Sequence, residues 1–149
     1  MGNQVDEFMR EAIKEAELGF SEGGIPIGSV LVRGGKIIGR GHNRRVQHGD
    51  PTAHGEIDCF RNADRIGDYR NTVLYSTLMP CSLCAGASVL FGVPKVIVGE
   101  DRTFQGHRKF MEDHGVEVVN LDLDECYELM QKFARLYPDI WNEDIGIVD

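Results

Sequence analysis

An α/β layered fold is predicted by the way apolar periodicity alternates along this chain between helical and extended spacing. Near the N-terminus, apolar residues recur every three or four positions. Short runs rich in β-formers then interleave with further helical patterns down to Leu136. A Gly34-Gly35 pair between two extended runs adds the signature of a tight hairpin. At 149 residues and 42% hydrophobic content, the chain is the size of one domain, residues 1–149, with a single sizeable core.

From Gln4 to about Glu22, Val5, Phe8, Met9, Ala12, Ile13, Ala16 and Phe20 share one helical face, with Asp6, Glu7, Arg10, Lys14 and Glu15 on the other. Gly23-Gly24 ends this helix. Pro26 to Arg33 and Lys36 to Gly41 follow as antiparallel strands joined at Gly34-Gly35. A polar loop from His48 to Thr52 leads into a helix over Ala53 to Ile66, with Thr52 expected at the N-cap and His54 and Glu56 in the first turn. Asn71 to Leu78, with Thr72, Val73, Tyr75 and Thr77, is a strand. Pro80 then introduces a helix carrying Cys81, Cys84, Ala85, Ala87, Val89 and Leu90. Lys95 to Gly99 is a strand, His107 to His114 a short helix, Val116 to Leu121 a strand, and Leu123 to Leu136 an acidic-capped helix. The segment from Tyr137 to Asp149 holds Pro138, the single tryptophan Trp141 and Glu143-Asp144; burial of the Trp is expected to anchor it to the core.

The formal charge of −8 argues against gripping a polynucleotide backbone, which demands clustered Lys and Arg. The short basic runs, Arg44-Arg45 and Arg102 to Lys109, flank possible active-site loops, and an ordinary solvated surface explains them at least as well. All apolar stretches are short and no charged-then-apolar signal opens the chain, so no membrane association is expected. Four cysteines are too few for a disulfide scaffold, and a CxxC that holds metal as thiolate suits a reducing, cytoplasmic setting. Cys59 and Cys126 are isolated and read as buried thiols.

The chemistry resides in His54-Gly55-Glu56 and Pro80-Cys81-Ser82-Leu83-Cys84. Zinc favours tetrahedral nitrogen and sulfur donors, and a site with three protein ligands keeps a fourth position open. His54, Cys81 and Cys84 supply the three; Glu56 stands two residues from His54, free to carry protons. A CxxC alone would serve equally as a structural half-site or a redox dithiol. The remaining cysteines, however, offer no fourth ligand in a paired spacing, and a redox pair leaves His54 and Glu56 without a task. Two helix starts bearing these groups would also place positive potential on one point, which favours thiolate. The H-x-E and P-C-x-x-C arrangement is the known signature of zinc nucleobase deaminases.

The segments EGGIPIG (Glu22 to Gly28), GRGHN (Gly39 to Asn43), HGEI (His54 to Ile57), PCSLCAGA (Pro80 to Ala87), IVGE (Ile97 to Glu100) and WNEDIG (Trp141 to Gly146) together resemble the cytidine/deoxycytidylate deaminase superfamily. Within it the chain is most similar to the fungal-type cytosine deaminases, over nearly its whole length. GRGHN with the C-terminal W-x-E-D-I-G resembles the free-base enzymes, not those acting on nucleosides or tRNA. This resemblance implies a three-layer α/β/α fold with a central five-stranded mixed sheet, of the cytidine deaminase-like kind. It implies one catalytic Zn2+ on His54, Cys81 and Cys84, with Glu56 as proton carrier, and hydrolysis of cytosine to uracil and ammonia in pyrimidine salvage. Asn43 and the Gly55 amide would hold the O2 edge and Asp144 the exocyclic amine. Phe104 and Trp141 would close over the ring, with Ile27, Leu78 and the backbone of Met79 lining the pocket. A homodimer is implied, with a small-molecule nucleobase as substrate and no nucleic acid or membrane partner.

Apart from the resemblance, Asn43 reads as a turn former, Phe104 as a loop aromatic and the C-terminal acids as solvated charge. His42, His48, His107 and His114 read as structural or surface residues. Met79 stands where Ser precedes Pro-Cys in the fungal pattern, and Asn142 where Phe follows the Trp. Met79 therefore keeps related free bases, isocytosine or guanine, as the alternative substrates. A catalytically silent zinc protein serving assembly or sensing is the non-enzyme alternative, and it gives no reason for Glu56.

Overall fold

The computed structural model describes residues 6–147; Gln4 and Val5, expected in the first helix, and Val148 and Asp149 lie outside the described residues. Helix α1 spans Glu7–Ser21, and Asp6 caps it by accepting the Phe8 N–H at 2.8 Å. Strands β1 (Gly28–Arg33) and β2 (Lys36–His42) form the expected antiparallel hairpin, with Gly34 at φ 59° and Gly35 at φ 75° in its turn. β3 (Thr72–Ser76) pairs antiparallel with β1, whereas β4 (Lys95–Val98) and β5 (Glu117–Asn120) extend the sheet in parallel, giving the order β2-β1-β3-β4-β5.

Alternation along the strands sorts the core into two layers. Leu31 and Leu74 point to the face covered by α3 (Gly55–Asn62), α4 (Ser82–Phe91) and α5 (Arg108–Asp113), joining Phe60, Ala85, Val96 and Met111. Val30, Val32 and Tyr75 point to the other face, against Met9 and Ile13 of α1 and Cys126 of α6 (Asp124–Leu136). A third cluster, of Ile25, Ile27, Leu78, Met130, Phe133 and Trp141, closes one end of the sheet. The architecture is therefore α/β with a five-stranded mixed sheet between helical layers. Among the described residues, no helix is long and apolar enough to cross a membrane.

Several boundaries differ from the sequence reading. Thr52 does not cap α3; its N–H and hydroxyl both donate to Asp50 Oδ1, at 2.8 and 2.7 Å, and His54 takes the N-cap position in extended conformation. The helix stops at Asn62 because Asp64 turns left-handed, with φ 63°. Just before the polar loop, Arg45–His48 forms a single turn, α2. The tail is itself a helix, α7 (Pro138–Asp144), with Pro138 in its first turn where the missing N–H costs nothing.

The close approach of α3 to β2 explains one glycine of the GRGHN segment. A Cβ on Gly41 would lie 2.6 Å from the Cys59 backbone nitrogen and 2.6 Å from Asp58 Oδ2. Only a bare Cα lets α3 settle here, and that placement sets where His54 emerges.

Candidate active site

Two helix starts meet beyond the end of the sheet where β3 leaves its carboxyl terminus. His54 is the N-cap of α3 and Cys81 the N-cap of α4, with Cys84 one turn further on. The approach is permitted by Gly55, whose added Cβ would sit 2.9 Å from the Ile27 carbonyl oxygen. His54 Nδ1 lies 3.4 Å from Cys81 Sγ, and the donor atoms of His54, Cys81 and Cys84 fall within 4.8 Å of one another. One imidazole and two sulfurs at such separations fit a tetrahedral zinc ion with a corner left open.

The electrostatics of these donors suit a cation. The neighbouring Cys84 thiol, followed by His54, holds Cys81 down at about 4, a thiolate at neutral pH. Burial would depress His54, but the hydrogen bond and charge of Cys81, with Glu56 and Asp144 behind them, lift it to about 9. Hydrogen bonding to the Cys81 thiolate and burial raise Cys84. With a dication bound, His54 and Cys84 would give up their protons and serve as its ligands with Cys81.

Glu56, in the first turn of α3, is only 4% exposed. Burial, reinforced by the Cys81 charge, pushes its carboxyl up to about 7. A carboxyl in that range both takes and gives a proton near neutrality, as proton-transfer chemistry requires.

These groups open into a cavity of about 400 Å³, the size range of a small planar ligand. Ile27 and Leu78 form apolar walls, and Phe104 meets Trp141 edge-on, with centroids 6.3 Å apart at 88°. Asn43, fully buried, accepts the Arg45 backbone N–H on Oδ1 at 3.0 Å, which leaves Nδ2 without a partner. Asp144 comes from α7, and its Oδ1 is likewise buried and unpartnered. That oxygen stands 3.8 Å from His54 Nε2 and 3.7 Å from Arg45 Nη1. Burial raises the Asp144 carboxyl, against the charges of His54 and Arg45.

Of the residues predicted from sequence to contact substrate, all but Gly55 line this cavity; Gly55 is packed beneath Ile27 and Asn43. Met79 borders the cavity, but its side chain is part of the core beside Met111 and Ala85. A Cβ on Gly106 would come within 2.5 Å of Met79 Cγ. The bulk that distinguishes Met79 from Ser is thus accommodated in the core and by that glycine. Ser82 and Leu83, from the Pro80 to Cys84 motif, and Ile145, from the WNEDIG segment, also line the cavity, as does His107, which the sequence placed among structural or surface residues. His107 arrives there because its N–H donates to the Pro80 carbonyl at 3.1 Å. His42 is structural as expected, buried between Glu15 at 2.8 Å and Glu22 at 2.9 Å. Arg44-Arg45 is not plain solvated charge: Arg44 Nε donates to Asp58 at 3.0 Å, and Arg45 faces α7. Cys59 and Cys126 are buried free thiols, raised by burial, the latter to about 12.

Comparison with known proteins agrees with this geometry. The family described as the cytidine and deoxycytidylate deaminase zinc-binding region matches residues 3–100. A cytosine deaminase of Candida albicans is 43% identical over 141 residues, covering 93% of this chain and 94% of that protein. A tRNA-specific adenosine deaminase of Streptococcus pyogenes is 37% identical over 140 residues, covering 86% of this chain and 88% of its own. Among solved structures, one from a study of A-to-I editing by tRNA:A34 deaminases superposes with a TM-score of 0.73 at 30% identity, covering 83% of this chain and 98% of that one. A guanine deaminase from Nitrosomonas europaea gives a TM-score of 0.75 at 20% identity, over 86% of this chain and 83% of that one, a likeness of fold alone.

Proposed function

The chain belongs to the cytidine and deoxycytidylate deaminase family, and from that premise we propose that it hydrolyses free cytosine to uracil and ammonia. The observation that carries this reading is a pair of buried, unpartnered polar atoms in one apolar cavity: a donor, Asn43 Nδ2, and an acceptor, Asp144 Oδ1. A buried polar atom left unpaired is costly, and a ligand that completes both is favoured accordingly. Cytosine presents the matching pair, a carbonyl oxygen at C2 and an amine at C4, on a flat ring that suits the walls of Ile27, Leu78, Phe104 and Trp141.

His54, Cys81 and Cys84 hold zinc, which when bound supplies the Lewis acidity that brings a water toward ionisation at neutral pH. Glu56 takes one proton from the nucleophilic water and passes it to ring N3. As the C4–N4 bond breaks, it passes the second to the departing amine, so that cytosine and water become uracil and ammonia. Its burial raises the carboxyl of the metal-free chain above the ordinary carboxylate range, which favours holding a proton between the two transfers. Asp144 orients the amine while it is still bonded and gives ammonia an acceptor as it leaves. Trp141 and Phe104 exclude solvent from the ring.

The C-terminal helix supports a free-base substrate, because its W-x-E-D-I-G run, which resembles the free-base enzymes, carries Trp141 and Asp144 into the cavity. The net charge of −8 supports the same reading over a polynucleotide. Exposed apolar residues on α4, Leu83, Leu90 and Phe91, support association as a homodimer. The decisive experiment incubates zinc-replete protein with cytosine, isocytosine, guanine, cytidine and adenosine and follows ammonia release. Cytosine is expected to react fastest; a different base reacting while cytosine does not would overturn the substrate assignment.

A further inference from the structure

Arg45 belongs to a basic doublet that the sequence leaves between a possible active-site loop and solvated surface, and its side chain is only 17% exposed. Its backbone N–H holds Asn43 Oδ1 at 3.0 Å, which turns Asn43 Nδ2 toward the cavity. Its guanidinium reaches the far wall: Nη1 stands 3.7 Å from Asp144 Oδ1, and Nη2 3.9 Å from Glu143 Oε1. A third contact, Nη1 to the Pro51 carbonyl at 3.1 Å, braces the guanidinium against the α2–α3 loop. Among the described residues, the ion pairs that join α7 to the rest of the chain are those of Arg45 and His54.

We propose that Arg45 is a positioning residue that latches α7 across the cavity and sets Asp144 at its distance from Asn43. The separation matters as much as the contact. At 3.7 Å the guanidinium attracts the Asp144 carboxylate without forming a close hydrogen bond, so Oδ1 stays free to accept a ligand N–H. The same helix carries Trp141, so a latch on residues 143 and 144 also fixes the aromatic cover. A second cavity, between Arg45, Val46, Pro51, Ile140 and Glu143, lies on the other side of this contact, leaving room for α7 to shift when the latch is cut.

The identity of the ligand rests on the proposed cytosine reading; the latch itself does not. Trp141 is the only tryptophan in the chain, so its fluorescence reports α7 directly without turnover. In Arg45→Ala, acrylamide quenching of Trp141 is expected to increase, and KM for cytosine to rise about tenfold with kcat changed less. Binding of pyrimidin-2-one, which lacks the amine that Asp144 reads, should weaken less than that of cytosine. Arg45→Lys, which restores the charge but not the fork, should recover most of the quenching and KM values, with zinc content and far-UV circular dichroism equal in all three proteins. Unchanged quenching and KM in Arg45→Ala would overturn the proposal. So would a loss of zinc or of melting temperature that Arg45→Lys fails to restore, since that would be support of the fold alone. Should wild-type protein leave cytosine untouched, the substrate assignment fails, while quenching in the ligand-free variants still decides the latch.

Discussion

Replacing Glu56 with Gln should abolish turnover and, at the same time, stabilise the chelator-stripped protein at alkaline pH. Glu56 is 4% exposed, and burial moves its carboxyl from 4.5 to about 7. At roughly 1.4 kcal/mol per pH unit, this difference corresponds to about 3 kcal/mol of cost when the group is ionised in the fold. The sign follows from the raised value. Below pH 4.5 the carboxyl is neutral folded and unfolded and costs nothing; the penalty grows as pH rises and is complete above about 7. Glutamine keeps the shape and never ionises, so the variant should gain up to about 3 kcal/mol relative to wild type at pH 8 and little at pH 4.5. For a domain of this size, each kcal/mol moves the melting temperature by about 2–4 °C. Turnover should move the opposite way, by at least about 10²–10⁴-fold, because one residue serves both proton transfers. Zinc content, measured by elemental analysis, should stay at wild-type level, since Glu56 is outside the ligand set. Ammonia release within tenfold of wild type, or equal stability gains at pH 4.5 and pH 8, would refute the reasoning.

Zinc uptake by chelator-stripped protein at pH 7 should release about two protons, one from His54 and one from Cys84, because Cys81 is already ionised at about 4. Titration calorimetry in buffers of different ionisation enthalpy counts them, and a release of one or none would contradict the site described. His42→Ala should destabilise most near pH 6 and least near pH 9. The raised imidazole contributes fully below its ordinary 6.5 and loses its contribution as pH rises through the folded value, while the lowered carboxyls of Glu15 and Glu22 contribute only above about 4.5. Melting curves at pH 6 and pH 9 test this; an equal gap between wild type and variant at both would exclude a charged His42. Gly41→Ala should cost about 1–3 kcal/mol by pushing α3 off β2, because the new methyl meets backbone that cannot swing away. Chemical denaturation reads the loss, and a variant as stable as wild type would show that the helix can back off freely.

The sequence by itself determined the zinc chemistry and most of the framework, because both are written in short-range spacing. Cys81 and Cys84 stand one helical turn apart whatever the tertiary fold, and Glu56 shares the first turn of α3 with the His54 cap. Gly34-Gly35 dictated its hairpin through positive φ alone. Thr52 has the composition of a cap but does not act as one, because Asp50, two residues earlier, takes its local hydrogen bonds.

Only the tertiary structure decided which distant groups share the cavity. His54 and Cys81 meet across 27 residues of chain, and Asp144 reaches them from a C-terminal helix whose acids, apart from the resemblance, read as solvated charge. Local sequence could not choose between loop and surface for Arg45, because its partners, Glu143 and Asp144, belong to the last helix of the chain. Likewise, no pattern in the chain marks Asn43 Nδ2 and Asp144 Oδ1 as unpaired. Whether a polar atom is satisfied depends on everything folded around it, and that sum is formed when the layers pack.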